Sequence, residues 1–130
     1  MRPNRWCMYG GSISLMSRLK TLWVKDEYLQ QILAGRKTVE VRVAYSNITR
    51  LEPGDVLWLN ERHRYVLTAI RRYQDFAALV AAENSTAIAP DLPDREALLA
   101  ACRAIYPPDK EALGVVALEI APEAVGDKSL

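Results

Sequence analysis

The chain has 130 residues, half of them hydrophobic and a quarter charged, with six Gly and seven Pro; this is the make-up of one compact domain, and it excludes collagenous, low-complexity and disordered chains. The formal net charge of +1 argues against the basic signature of a nucleic-acid binder, until the count is split. Residues 1–72 carry thirteen Lys/Arg against six Asp/Glu, a balance of +7, and residues 73–130 carry four against ten, a balance of −6. A chain polarised in this way can turn a positive face to a phosphate-bearing ligand while staying nearly neutral overall.

Residues 1–18 read as an N-terminal extension. Arg2 and Arg5 are followed by Trp6, Tyr9 and two glycines instead of a sustained apolar run, which makes a poor signal peptide, and Met16 is an alternative start. The domain is expected over residues 19–121, with 122–130 as a fraying tail. Leu22, Trp23 and Val24 form the apolar part of a first strand, with Trp23 expected in the core. Asp26 is expected to cap the helix that follows, where Tyr28, Leu29, Ile32 and Leu33 share a face and Gly35 supplies the left-handed residue that ends it. Thr38 to Val43 alternates, with Val39, Val41 and Val43 on one face and Thr38, Glu40 and Arg42 on the other. By parity, Lys37 points with the valines.

Ala44 to Pro53 is polar and turn-rich, an exposed loop of the length that tends to carry function. Val56 to Leu59 and Tyr65 to Ile70 read as strands joined by a charged tip, Asn60 to Arg64, with His63 solvated there. Trp58, between Leu57 and Leu59, reads as core before stacking platform. Asp75 starts a helix with Phe76, Leu79 and Val80 on one face, ending near Glu83-Asn84. A linker runs to Pro93, Asp94 caps a helix carrying Leu98, Leu99, Cys102 and Ile105, and Tyr106-Pro107-Pro108 stops it. Gly114 to Ile120 closes the order β-α-β-β-β-α-α-β. That rhythm lacks the repeated crossovers of a parallel sheet, so the expected class is α+β, a small mixed β-barrel with three short helices packed around it.

Cys7 and Cys102 have no Cys or His at metal-ligand spacing, which disfavours zinc and suits a reduced intracellular protein with Cys102 in a helix core. No segment approaches the roughly 20 apolar residues of a membrane span, and the cytoplasm is the expected location.

The run Gly35-Arg36-Lys37-Thr38-Val39-Glu40-Val41-Arg42 concentrates charge on a helix-to-strand corner. Its plainest reading is a solvated strand face with an ion pair worth at most about 1 kcal/mol. The pattern Gly-x-Lys-x-x-Glu-x-Arg within it, as Gly35, Lys37, Glu40 and Arg42, resembles the signature of the ASCH domain, a relative of the PUA-type RNA-binding barrels. Leu22-Trp23-Val24 with Tyr28, the Pro53-Gly54-Asp55 turn, Arg72-Tyr73, Phe76, Glu83, Tyr106-Pro107 and Gly114 to Ile120 extend the likeness from Leu19 to Ile120.

The resemblance implies a PUA-like barrel with a cleft lined by the signature residues and a role in binding RNA or a modified nucleoside. Some compact members remove the acetyl group from acetylated cytidine with a Lys, a Thr and a Glu. The Lys matches Lys37 and the Glu matches Glu83, but the Thr position is Glu40, and a carboxylate does not replace a hydroxyl nucleophile. A hydrolase acting on an acylated nucleoside or single-stranded RNA would need rearranged chemistry, with Lys37 stabilising an oxyanion and Glu40 or Glu83 acting as base toward water. The expected ligand-binding set is Gly35, Arg36, Lys37, Thr38, Glu40, Arg42, Tyr45 and Arg50, with Arg62, Arg64, Arg71 and Arg72 as further phosphate contacts and Tyr45 as a stacking residue. Asp91, Asp94, Glu96, Asp109 and Glu111 read as a solvated acidic face turned away from the ligand. No cofactor is implied; a divalent metal joining Glu40 and Glu83 stays open.

Overall fold

The structure, a computed structural model, describes residues 18–124; Cys7, Met16, nearly all of the N-terminal extension and the end of the tail lie outside the described residues. Five strands, β1 (Leu19–Leu22), β2 (Val39–Val43), β3 (Val56–Leu59), β4 (His63–Tyr73) and β5 (Val115–Pro122), form one sheet in the order β1-β3-β4-β5-β2. The β1–β3 pair is parallel and all others are antiparallel, so the sheet is mixed as expected, with β1 and β2 at its edges.

Three helices of two or more turns occupy the expected places: α1 (Asp26–Leu33), α3 (Phe76–Ala82) and α5 (Arg95–Ile105). Asp75 accepts from the Ala78 N–H and Asp94 from the Ala97 N–H, satisfying amides that have no partner within the helix. Asp26 does not cap α1: Lys25 holds the cap position without a side-chain bond, and Asp26 and Glu27 act in the first turn on the helix dipole. Gly35, at φ +78°, ends α1 as expected, letting the Arg36 and Lys37 amides fold back on Gln31 O.

Three one-turn helices, α2 (Ser46–Thr49), α4 (Ser85–Ile88) and α6 (Pro108–Glu111), lie in segments the pattern reads as loops. Their turns are too short to show periodicity. The segment after β2 is accordingly not a simple exposed loop, since Ile48 and Leu51 are both buried. At the β3–β4 turn Asn60 and Glu61 take positive φ, and β4 starts at His63, which is half-buried in the strand instead of solvated at a tip.

Strand β5 is buried on both faces. Val116, Leu118 and Ile120 join Leu22, Leu29, Ile32, Leu57 and Leu59 in a core that includes α1. Val115 and Ala117 join Val39, Val43, Phe76, Leu79, Leu98 and Cys102 in a second core that includes α3 and α5. Strand β2 sits where these cores meet, its valines in the second and its Glu40 and Arg42 on the opposite face. The sheet edges are joined by a side chain: Arg42 of β2 donates to Trp23 O, just past β1, at 2.6 Å.

Candidate functional site

A cleft of about 390 Å³ runs beside the free edge of β2, between α1 and its approach on one side and α4–α5 on the other. Its walls include Trp23, Tyr28, Val41, Leu98, Cys102 and Tyr106, and its charged lining includes Lys37, Glu40 and Arg42. The size is at the lower end of small-molecule sites, and a mainly apolar wall with few convergent polar groups is the usual make-up of one.

Lys37 is 5% exposed and does not follow strand parity, because β2 begins only at Val39. Its ammonium donates to Val39 O at 2.9 Å and to Ile88 O at 2.8 Å, and lies 3.2 Å from Glu40 Oε1. Two of the three ammonium protons thus go to backbone carbonyls, and Glu40 is an ion-pair partner. The Tyr28 ring adds a cation–π contact at 5.9 Å. The other Glu40 oxygen accepts from Arg42 Nε at 2.7 Å, so Glu40 is held between two cations and its carboxylate, 8% exposed, is a paired buried charge. Burial raises the Tyr106 hydroxyl above the usual tyrosine value and pushes the Cys102 thiol up to about 11, leaving both neutral in the cleft wall. The Gln31 side chain also lines the cleft; its Nε2 donates to Asp91, and its Oε1 is buried without a donor among the described residues.

Of the expected ligand set, Lys37, Glu40 and Arg42 line this cleft together. Gly35 and Thr38 shape the corner, the Thr38 N–H bonding Ala87 O, without lining it. Arg36 pairs with Asp91. Tyr45 is exposed under Lys110, 5.9 Å from its ring centre, and is not part of the cleft wall. Arg50 borders a separate polar depression of about 110 Å³ beside Lys20 and Asn47. Among the hairpin arginines, Arg64 pairs with Glu123, Arg71 with Glu83 and Glu119, and Arg72 donates to Thr49 O; Arg62 is exposed.

Glu83 does not line the cleft. Its carboxylate receives both Arg71 Nε and Nη2 at 2.6 and 2.9 Å and the Tyr73 hydroxyl at 2.5 Å. The Arg71 bonds, ahead of the opposing cost of burial, hold it below the usual carboxylate range. Glu40 and Glu83 are therefore each engaged by their own cations, and among the described residues no three His, Cys, Asp or Glu side chains converge as a metal cluster.

Two expectations are reversed. Trp23, expected in the core, is 61% exposed at the cleft, because β1 ends at Leu22 and the chain turns there toward α1. Asp91, expected on a face turned away from the ligand, lines the cleft, while Glu111 is taken up by Arg103 and the Phe76 N–H. Trp23 was findable in the sequence only as an aromatic at a strand end.

Among the described residues no helix is long and apolar enough to cross a membrane. The ASCH domain family model matches residues 22–124. The crystal structure of a hypothetical protein, PH0355, is similar at 26% identity and a TM-score of 0.75, over 81% of this chain and 98% of that one. The solution structure of protein PF0455 from Pyrococcus furiosus is similar at 27% identity and a TM-score of 0.69, over 82% and 98%. No curated protein matches the chain. With the Gly35, Lys37, Glu40 and Arg42 signature at the cleft corner and a family match spanning most of its length, the chain belongs to the ASCH domain family.

Proposed function

We propose that the cleft binds one nucleoside unit, either a free modified nucleoside or an unpaired nucleotide of RNA. The observation that carries this is the exposed Trp23 at a small, mostly apolar cleft whose polar edge is the Lys37, Glu40 and Arg42 row. An exposed tryptophan is uncommon, and a flat aromatic face beside a few fixed donors and acceptors is how unpaired bases are held. The family is generally linked to RNA binding.

The cleft is not a phosphate funnel. Its charged lining pairs Lys25, Lys37 and Arg42 against Glu27, Glu40 and Asp91, so stacking and hydrogen bonds carry recognition and binding depends weakly on salt. The hydrolytic alternative lacks support from the geometry: Lys37 is bonded to two carbonyls and ion-paired with Glu40, no hydroxyl nucleophile bonds it among the described residues, and the Glu83 carboxylate is engaged outside the cleft.

Calorimetric titration with the four ribonucleosides, acetylcytidine and a short single-stranded RNA tests the reading. Saturable binding is expected, with Trp23→Ala weakening it by about 1–3 kcal/mol, the range for one base–aromatic stack, and changing stability by less than about 0.5 kcal/mol. Absence of binding to every probe, or affinity unchanged in Trp23→Ala, would sink it. Turnover of acetylcytidine that disappears in Glu83→Gln would replace it with the hydrolase.

A further inference from the structure

Among the described residues, strand β2 bonds to β5 on one side only. In an antiparallel ladder, alternate residues turn both backbone groups toward the partner strand and the others turn theirs away. Here Thr38 O accepts from the Ile120 N–H and the Ala44 N–H donates to Gly114 O, and the register runs without a shift from Val39 to Val43. Glu40 and Arg42 therefore face β5, flanked by Thr38 O and the Ala44 N–H, and Val39, Val41 and Val43 present their amides and carbonyls at the free edge. Val39 O is taken by Lys37 and Val43 O by the Tyr45 N–H. Val41, the middle residue, lines the cleft with its N–H and C=O turned to that edge.

Resting on the nucleoside reading, we propose that the Val41 N–H and C=O read the base-pairing edge of the bound heterocycle, donating to its acceptor and accepting from its adjacent donor. One extended residue offers a donor and an acceptor side by side, and nucleobases carry the complementary adjacent pair on the edge by which unpaired bases are recognised. The carbonyls of Val39 and Val43 are already engaged, so Val41 is the residue of this edge that keeps a donor and an acceptor side by side. That suits a single flat ring and is too little for an added peptide strand, which bonds at successive outward residues. The Gln31 Oε1, a buried acceptor without a donor in the wall of the same cleft, is the kind of unfilled group that a ligand donor satisfies.

The test uses the four unmodified ribonucleosides as probes. Val41→Pro removes the N–H at a position outside the ladder, where an edge strand tolerates proline. The variant is expected to melt close to the parent and to bind the tightest of the four at least tenfold more weakly. For uridine, methylation at N3, which removes the edge donor, is expected to cause a comparable loss with the parent protein. Independently of any variant, the Val41 amide of the isotope-labelled parent is expected to shift on saturation and to become protected from exchange.

A Val41→Pro variant that folds and binds like the parent overturns the inference while leaving nucleoside binding in place, as does a Val41 amide that does not respond at saturation. Should the variant fail to fold, the amide measurement on the parent decides. Protection of Val39, Val41 and Val43 together by an extended peptide would overturn it in favour of strand addition. Binding of none of the four nucleosides, of acetylcytidine or of the short single-stranded RNA would overturn both this inference and the reading it rests on.

Discussion

Glu40 and Glu83 are almost equally buried, at 8% and 6% exposure, and each lies against an arginine, yet one borders a cleft and the other does not. Glu83 collects two bonds from Arg71 and one from Tyr73, while Arg71 also holds Glu119 and Arg95 donates to Glu83 O and Val80 O. The effect is to fasten the end of α3 to β4 and α5. Glu40 takes Lys37 on one oxygen and Arg42 on the other, and the same two cations reach on to backbone carbonyls around the cleft. Burial with a charged partner does not by itself mark a functional carboxylate. What separates the two is the space beside them: Glu83 sits in a satisfied clamp, and Glu40 organises the wall of a cavity.

The sharpest way to break this contrast is to remove each anchor. Glu83→Ala leaves Arg71 without its main partner and is expected to cost about 3 kcal/mol, the low end for breaking a buried pair because Arg71 keeps some contact with water; urea denaturation measures it. Nucleoside affinity of the folded fraction is expected to be unchanged, and a selective loss of binding with intact stability would reverse the two roles. Lys37→Met strips a donor from two buried carbonyls and a neighbouring cation from Glu40 at once. It is expected to cost about 2 kcal/mol in the same assay and to abolish nucleoside binding by calorimetry. If binding survived, Lys37 would be a structural prop and no more.

The smallest effect is on acid stability. The Glu83 pKa is lowered in the folded state, first by Arg71, so its contribution is fully present above the unfolded value and is lost as pH falls through the folded one. Stability is therefore expected to decline below about pH 4, and Glu83→Gln to flatten that decline in urea titrations repeated across acid pH. Asp55 keeps part of the slope in the variant: burial would raise its pKa, but the bonds from Arg18 and the Glu52 N–H together outweigh this. An unchanged slope in Glu83→Gln would show that the clamp does not stabilise the ionised form.

Much of the frame is legible in the sequence. Asp75 and Asp94 announce their helices because a carboxylate before an apolar face serves amides that nothing else can reach. Gly35 announces the end of α1, and the alternation from Thr38 to Val43 announces β2. The association of Lys37, Glu40 and Arg42 was legible as well, since all three lie within six residues. The position of Glu83 was not, because its partners Arg71 and Tyr73 belong to a strand that meets it only after β4 and α3 fold together. Nor was the exposure of Trp23, where apolar composition favours the core and only the end of β1 at Leu22 overrules it.

The opposite charges of the two halves show where that boundary falls. The sequence by itself determined that residues 1–72 are basic and 73–130 acidic, along with the start of α3, the limits of α5, the end of α1, the alternating strand and the family signature, all of which depend on neighbours along the chain. It did not determine a positive face. In the folded chain Arg36 meets Asp91, Arg64 meets Glu123, and Arg71 meets Glu83 and Glu119, so much of the excess in one half is neutralised by the other and the cleft is left nearly balanced. Only the tertiary structure decided this, because a Coulomb interaction acts through space and is strong only at short range, and the order of residues along the chain does not fix which charges come within that range.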